Sequence, residues 1–280
     1  MNIQSAITKG TDILKDKSIL SAKLDTEILM AKALDKNREY IILNNDKVLS
    51  EKNLEYFKKL IQQRTTKKPI AYLLNTKFFW DSEFYVNDNT LIPRPDTEVV
   101  IEEVLRLTKI KNKMNILDIG VGSGCILLTI LKEKKNFYGT GIDISKKTLD
   151  ICRINAKKLN VEQRTKFYKS DVDKFTQGKY DLIVSNPPYI KSCDLKYLES
   201  DVINFEPKLA LDGGLDGLSE IRKVIKKSSE LIKKNGKLIL EVGFNQKNKV
   251  IKLLKKKGFY INSTVKDLAN NDRCIVSTKI

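Results

Sequence analysis

Asn115-Ile116-Leu117-Asp118-Ile119-Gly120-Val121-Gly122-Ser123-Gly124-Cys125 is the stretch that decides the fold of this chain. Residues 115–119 form a short apolar run that reads as a strand, and residues 125–132 read as a helix. A strand, a glycine loop and a helix in that order open a Rossmann-like unit. Glycine serves there because it lets the backbone approach a ligand that a side chain would keep away. The loop departs from the dinucleotide fingerprint G-x-G-x-x-G, since Cys125 stands where the third glycine belongs.

The compressed pattern of Gly120, Val121, Gly122, Ser123 and Gly124, preceded by Asp118, resembles the loop of S-adenosylmethionine-dependent methyltransferases. Asp118 would add a negative charge near a sulfonium. Working outward, the predicted strand 138–144 carries Asp143, nineteen residues after Gly124. An acid at the end of the second strand is placed to take both ribose hydroxyls; capping of the next helix is the alternative, but it leaves unexplained why strand and acid follow the glycine loop so closely. A third strand over 166–169 ends in Ser170-Asp171-Val172, where Asp171 can accept from an adenine amino group and Val172 can lie against the ring.

The fourth strand holds Leu182, Ile183 and Val184, without polar alternation, as in a strand covered on both faces. It runs into Ser185-Asn186-Pro187-Pro188-Tyr189, and the prolines end it because neither can donate a ladder hydrogen bond. Asn186 offers a side-chain carbonyl, Pro187 a rigidly aimed backbone carbonyl and Tyr189 a ring face. Together these can hold a planar NH₂ group by both protons. A strand end closed by a Pro-rich turn is the bland alternative.

Residues 1–76 show helical spacing of apolar residues (Ile3, Ala6, Ile7, Ile13 and Leu14, then Leu24, Ile28, Leu29 and Leu34) and predict a small helical bundle with a docking role. A third helix is expected from Ser50. Residues 77–91, rich in aromatics around Asp81-Ser82, read as a β-hairpin linking that bundle to a catalytic domain over 92–280. Trp80 reads as a packed linker aromatic. The connection 191–218 is long and glycine-bearing, and is expected to act as a lid that orders on ligand binding. Two closing strands over 260–265 and 273–278 are expected to pair antiparallel. The fold class is therefore α/β: a Rossmann-like, mostly parallel seven-stranded sheet, with a small helical bundle and a hairpin linker.

Composition narrows the chemistry. The chain has no histidine, which excludes Ser-His and Cys-His nucleophile arrangements, and its four cysteines form no C-x-x-C pair, so no metal site is expected. Lone cysteines and the lack of a signal pattern or a membrane-length apolar stretch point to the cytoplasm. The net charge of +17 comes mostly from lysine, with only eight arginines, so a solvated surface is favoured over a nucleic-acid patch.

Taken together, Ile92-Pro93-Arg94-Pro95-Asp96-Thr97-Glu98, the 117–124 loop, Ser185-Asn186-Pro187-Pro188-Tyr189-Ile190, Phe205-Glu206-Pro207 and the closing Asp267-Leu268-Ala269-Asn270-Asn271-Asp272-Arg273 resemble the release-factor glutamine methyltransferase family (PrmC/HemK). Two positions depart from it: Asp96 stands where the family usually has Glu, and Val172 where some members have an aromatic. The resemblance implies methyl transfer from S-adenosylmethionine to the glutamine amide nitrogen in the Gly-Gly-Gln motif of peptide chain release factors. It implies Asn186, Pro187 and Tyr189 as catalytic residues, with Pro188 joining them in binding substrate. The cofactor set would be Gly120, Val121, Gly122, Ser123, Gly124, Asp143, Asp171, Val172 and Asn186. Because adenine-N6 methyltransferases share the N-P-P-Y motif, methylation of DNA or RNA is the rival reading. It would call for a target-recognition domain that this chain's helical N-terminus, poor in arginine, does not offer. A non-catalytic binding protein on the same scaffold is the third, against which the intact Asp143, Asp171 and Asn186 argue.

Overall fold

In the computed structural model, which describes residues 1–280, the chain divides into two units. One comprises Met1–Thr76 together with Glu199–Phe205, and the other Lys77–Leu198 with Glu206–Ile280. Residues 1–76 hold five helices rather than the three anticipated: α1 (Ile3–Asp16), α2 (Ala22–Leu34), α3 (Arg38–Leu43), α4 (Glu51–Thr65) and α5 (Ile70–Leu74). Asn2, Asn37 and Ser50 start α1, α3 and α4 by accepting from Ser5, Tyr40 and Asn53 amides. Ile3, Ile7, Leu14, Leu29, Met30, Phe57 and Leu60 form the core of this unit. Ile13 and Leu24, which fit the helical spacing, are exposed. Gly10 permits close packing, because a Cβ there would sit 2.9 Å from Thr26 Cγ2.

The second unit opens with a hairpin of β1 (Thr76–Phe79) and β2 (Ser82–Tyr85). It is no free linker: Phe79 and Phe84 are fully buried in this unit's core, their rings edge to face at 6.1 Å. Trp80 is packed in the same way, donating from its backbone to Glu98 and from its indole to Glu133.

The remaining elements are α6 (Glu98–Leu107), β3 (Asn115–Ile119), α7 (Cys125–Glu133), β4 (Tyr138–Asp143), α8 (Lys146–Lys158), β5 (Thr165–Lys169), β6 (Tyr180–Ser185), α9 (Ser200–Phe205), α10 (Ser219–Leu231), β7 (Ile232–Glu241), α11 (Lys247–Lys256), β8 (Phe259–Lys266) and β9 (Asp272–Lys279). The short α9 lies inside the long connection yet groups with the first unit. Seven strands form one sheet in the order β5-β4-β3-β6-β7-β9-β8. The first five are parallel, and β9 pairs antiparallel with both β7 and β8, as the two closing runs predict. Successive residues divide between two cores. Ile116, Leu182, Val184 and Ile239 face α6, α7 and α8, while Leu117, Ile183, Leu238 and Leu240 face α10 and α11. The chain leaves β3 for β4 and β5 on one side and returns to β6 on the other. The crevice at the carboxyl ends of β3 and β6 is therefore the topological switch point.

Candidate active site

A cavity of about 450 Å³ opens at that switch point. Gly120, Val121, Gly122 and Ser123 line it from the loop after β3, Asp143 from the end of β4, Asp171 and Val172 from beyond β5, and Asn186, Pro187 and Pro188 from the end of β6. Its volume lies in the range of small-molecule sites.

The glycine loop has the form of a cradle. Gly120 and Gly122 adopt φ of +78° and +56°. A Cβ on Gly120 would meet nothing within 4 Å, and one on Gly122 would find only Gly120 O at 3.9 Å. Open space at these positions, with backbone that disfavours a side chain, marks room kept for a ligand. Gly124 differs. It too has a positive φ, but a Cβ there would collide with Leu128 Cδ1 at 2.6 Å and Cys152 Sγ at 2.7 Å, and it does not line the cavity. Gly124 is closely packed at the start of α7.

Asp143 takes a hydrogen bond on each oxygen, from Gly122 N at 3.2 Å and Ser145 N at 2.9 Å. Burial pushes its pKa upward against the pull of those amides. Two backbone donors hold the carboxylate in place, and each oxygen retains a lone pair for a hydroxyl. Asp171 caps the turn after β5 by accepting from Asp173 N. Asp118 does not line the cavity. It is buried beside Asp143 and Cys125, with both carboxylate oxygens lacking a hydrogen bond of good geometry. Burial drives its pKa to about 7, partly offset by the Leu127 amide and reinforced by Asp143.

Asn186 donates from its Nδ2 to Thr97 Oγ1 at 3.3 Å. Tyr189 turns away from the cavity. Arg273 donates to its hydroxyl at 3.2 Å, and that hydroxyl in turn lies 3.5 Å from Glu241 Oε1. Burial pushes the Tyr189 phenol well above its ordinary value. The ring face assigned to substrate contact is thus a buttress behind the motif. Arg273 is held by Asp267 through Nε at 3.0 Å and Nη2 at 2.9 Å and reaches Asp96 at 3.1 Å, which explains the closing motif.

Several residues of the site escape a reading based on strand ends. The 88–94 segment forms one wall, with Thr148 donating to Asn89 O at 2.7 Å to fix it. Glu206 is buried and accepts from Ile92 N and from Arg94, clasping the segment from Ile92 to Arg94 against the long connection. Thr97 lines the cavity and Glu241 stands behind it. The quoted run from Ile92 to Glu98 already contained Thr97, but nothing in a sequence says which way its hydroxyl points.

The expected lid is tied down. The backbone of 211–214 runs beside Ile190, with Ile190 N donating to Leu211 O and Gly213 N to Ile190 O. Gln246 Nε2 bonds both Tyr189 O at 2.9 Å and Gly217 O at 3.0 Å. A Cβ on Gly213 would lie 2.8 Å from Tyr189 Cα, so the backbones meet too closely for any side chain. Residues 211–217 are a fixed backing for the motif because their polar groups are spent on it. Of the four cysteines, Cys152 and Cys274 are buried, Cys125 is half-buried with its thiol pushed up to about 12 by burial, and Cys193 is exposed.

Along its whole length the chain is similar to known proteins. Residues 5–74 match the PrmC N-terminal domain and residues 97–206 the methyltransferase small domain. The chain is 39% identical over 280 residues to a release factor glutamine methyltransferase of Buchnera aphidicola, covering 100% of this chain and 99% of that one. A protein of the same description from Clostridium acetobutylicum is 34% identical, with 100% and 99% covered. A bifunctional methyltransferase of Rickettsia felis is 34% identical, and there this whole chain spans 58% of the longer relative. Among solved structures, a methyltransferase from Pyrococcus furiosus superposes with a TM-score of 0.53 at 17% identity, covering 79% of this chain and 97% of that one. That likeness concerns the fold. No helix is long and apolar enough to cross a membrane. On full-length similarity in sequence, the chain belongs to the release factor glutamine methyltransferase family.

Proposed function

We propose that this chain transfers a methyl group from S-adenosylmethionine to the side-chain amide nitrogen of a glutamine in a peptide chain release factor. One observation carries the reading: Asn186, Pro187 and Pro188 share one cavity with the open glycine cradle, Asp143 and Asp171.

The residues present fit the cofactor. Gly120 and Gly122 leave room for its backbone-hugging portion, Asp143 offers paired acceptors for ribose hydroxyls, and Asp171 and Val172 would hold adenine. The orphaned Asp118 carboxylate suits a cationic ligand nearby. Bound there, S-adenosylmethionine supplies an electrophilic methyl group on a sulfonium.

The chain's own part is orientation. An amide nitrogen is a poor nucleophile because its lone pair is delocalised into the carbonyl. The Asn186 side-chain carbonyl and the Pro187 backbone carbonyl would accept the two N–H protons and draw the nitrogen toward pyramidal geometry. Fixed acceptors of this kind stabilise charge where it develops without reorganising. A full general base is unnecessary, since the nitrogen becomes acidic once alkylated. That accords with a chain that lacks histidine. Tyr189 takes no proton. Its phenol is raised by burial and is already bonded by Arg273, so it supports the motif from behind.

The test is methyl transfer from labelled cofactor to three acceptors: release factor, release factor with its Gly-Gly-Gln glutamine replaced, and adenine-containing DNA. Label is expected in the first alone. Comparable incorporation into DNA would overturn the glutamine reading.

A further inference from the structure

We propose that Thr97 and Glu241 are positioning residues that set which face of the Asn186 amide meets the target nitrogen. The inference rests on the proposed reading of Asn186 as an acceptor for the substrate amide. An asparagine side chain presents a carbonyl on one side and an NH₂ on the other, with nearly the same shape. In the wrong orientation Asn186 would present donors to a substrate that itself has protons to give. Something must choose between the two.

Thr97 stands at the N-cap of α6, where a threonine hydroxyl ordinarily accepts from a backbone amide of the first turn. Here it makes no capping bond. The hydroxyl is fully buried and instead accepts from Asn186 Nδ2 at 3.3 Å. A hydroxyl has one proton, so its direction decides what Thr97 can do for Asn186. If the proton pointed at Asn186, the amide oxygen would turn toward it and away from the cavity.

Glu241 holds that proton elsewhere. It lies at the end of β7, 1% exposed, with the Thr97 side chain among the groups that pull its raised pKa back down. The Oε1 atom faces the Tyr189 hydroxyl at 3.5 Å, whereas Oε2 is buried without a good partner. Arg273 from β9 and Asp96 from the turn before α6 are the charges around it. When ionised, the Glu241 carboxyl is an acceptor only, and the Thr97 proton is then drawn to it. The Thr97 oxygen is then left to accept from the Asn186 NH₂, and the Asn186 carbonyl faces the cavity. Two residues that need touch neither substrate nor methyl donor thereby fix the polarity of one that does.

Thr97→Val keeps the volume and removes the hydroxyl, while Thr97→Ser keeps the hydroxyl. Turnover on release factor should fall about tenfold or more in T97V, the scale of one lost oriented hydrogen bond, with KM and cofactor Kd within about twofold. T97S should restore most of that loss. Glu241→Gln, whose amide can donate to Thr97 and free the hydroxyl to turn, should also lower turnover at unchanged cofactor affinity. T97V with wild-type turnover, or T97S as impaired as T97V, would overturn the proposal. Should T97V not fold, E241Q decides, and wild-type turnover in it is the contrary result.

A second readout separates failure of this inference from failure of the glutamine reading. In spectra of ¹⁵N-asparagine-labelled protein, the Asn186 Nδ2 signal is assigned by its loss in Asn186→Ala. It should move in T97V and stay near its place in T97S. If the wild-type protein methylates no release factor but this signal moves, the functional reading fails and the relay stands. A signal unmoved by T97V removes the relay whatever the substrate proves to be.

Discussion

Asp143 and Asn186 divide the work of the site between binding and chemistry, and substitutions should separate the two. Asp143→Ala removes an acceptor pair and also frees the Gly122 amide, so cofactor affinity should drop by about 100-fold or more in calorimetry. An unchanged affinity in the folded variant would take Asp143 out of the site. Asn186→Ala should leave cofactor binding nearly intact while turnover falls by about 10²–10³, as when one preorganised polar partner is lost. Both residues were legible in the sequence because strand ends at a switch point carry ligands. Gly124 and Tyr189 fall outside the cavity lining for a common reason. Sequence gives a residue's position along the chain but not the direction of its Cβ vector or ring. Leu128 and Cys152 claim the space at Gly124, and Glu241 and Arg273 claim the Tyr189 hydroxyl, all from other turns or strands.

At the scale of elements, most strands and helices of the second unit lie close to where periodicity and turn residues put them, with ends displaced by a residue or two, though β7 begins at Ile232, five residues before its apolar run at 237–242. Long connections were harder, since a glycine-bearing loop reads the same whether it swings or is bonded in place. Here Gln246, just before α11, decides the matter by bridging Tyr189 O, Gly217 O and Gly243 N. Gln246→Ala would strand those buried groups and should cost about 2–3 kcal/mol in urea unfolding. Hydrogen exchange should quicken over 211–217 in the same variant. Exchange in that segment as slow as in the wild type would mean the backing is held by something else.

For the molecule as a whole, two buried acids set a pH dependence. Asp118 and Glu241 are both raised to about 7, from 3.8 and 4.5, chiefly by burial. An acid whose pKa rises on folding holds its proton more tightly when folded. Its stability is full below the unfolded value and is lost as pH climbs toward the folded one. Each group should therefore withdraw at most about 3–4 kcal/mol between about pH 4 and pH 7. The urea midpoint of the ligand-free protein should be lower at about pH 8 than at about pH 5, and Asp118→Asn and Glu241→Gln should each flatten the slope. Variants that titrate like the wild type would assign the trend to surface charge. The sequence singles out Asp118 by its place before the glycine loop but not Glu241, and it shows the burial of neither, because burial is a property of the assembled sheet.

The distribution of thiols has a practical consequence. Two of the four sulfurs are sealed in the core and a third is held protonated, while Cys193 is exposed next to Ser192, which bonds Gly214 and Asp212. A maleimide dye added at neutral pH should therefore attach at one place in the unaltered protein. Its emission would then report any protein added in solution that changes the surroundings of Cys193, an optical titration that needs no radioactive methyl donor and no engineered cysteine.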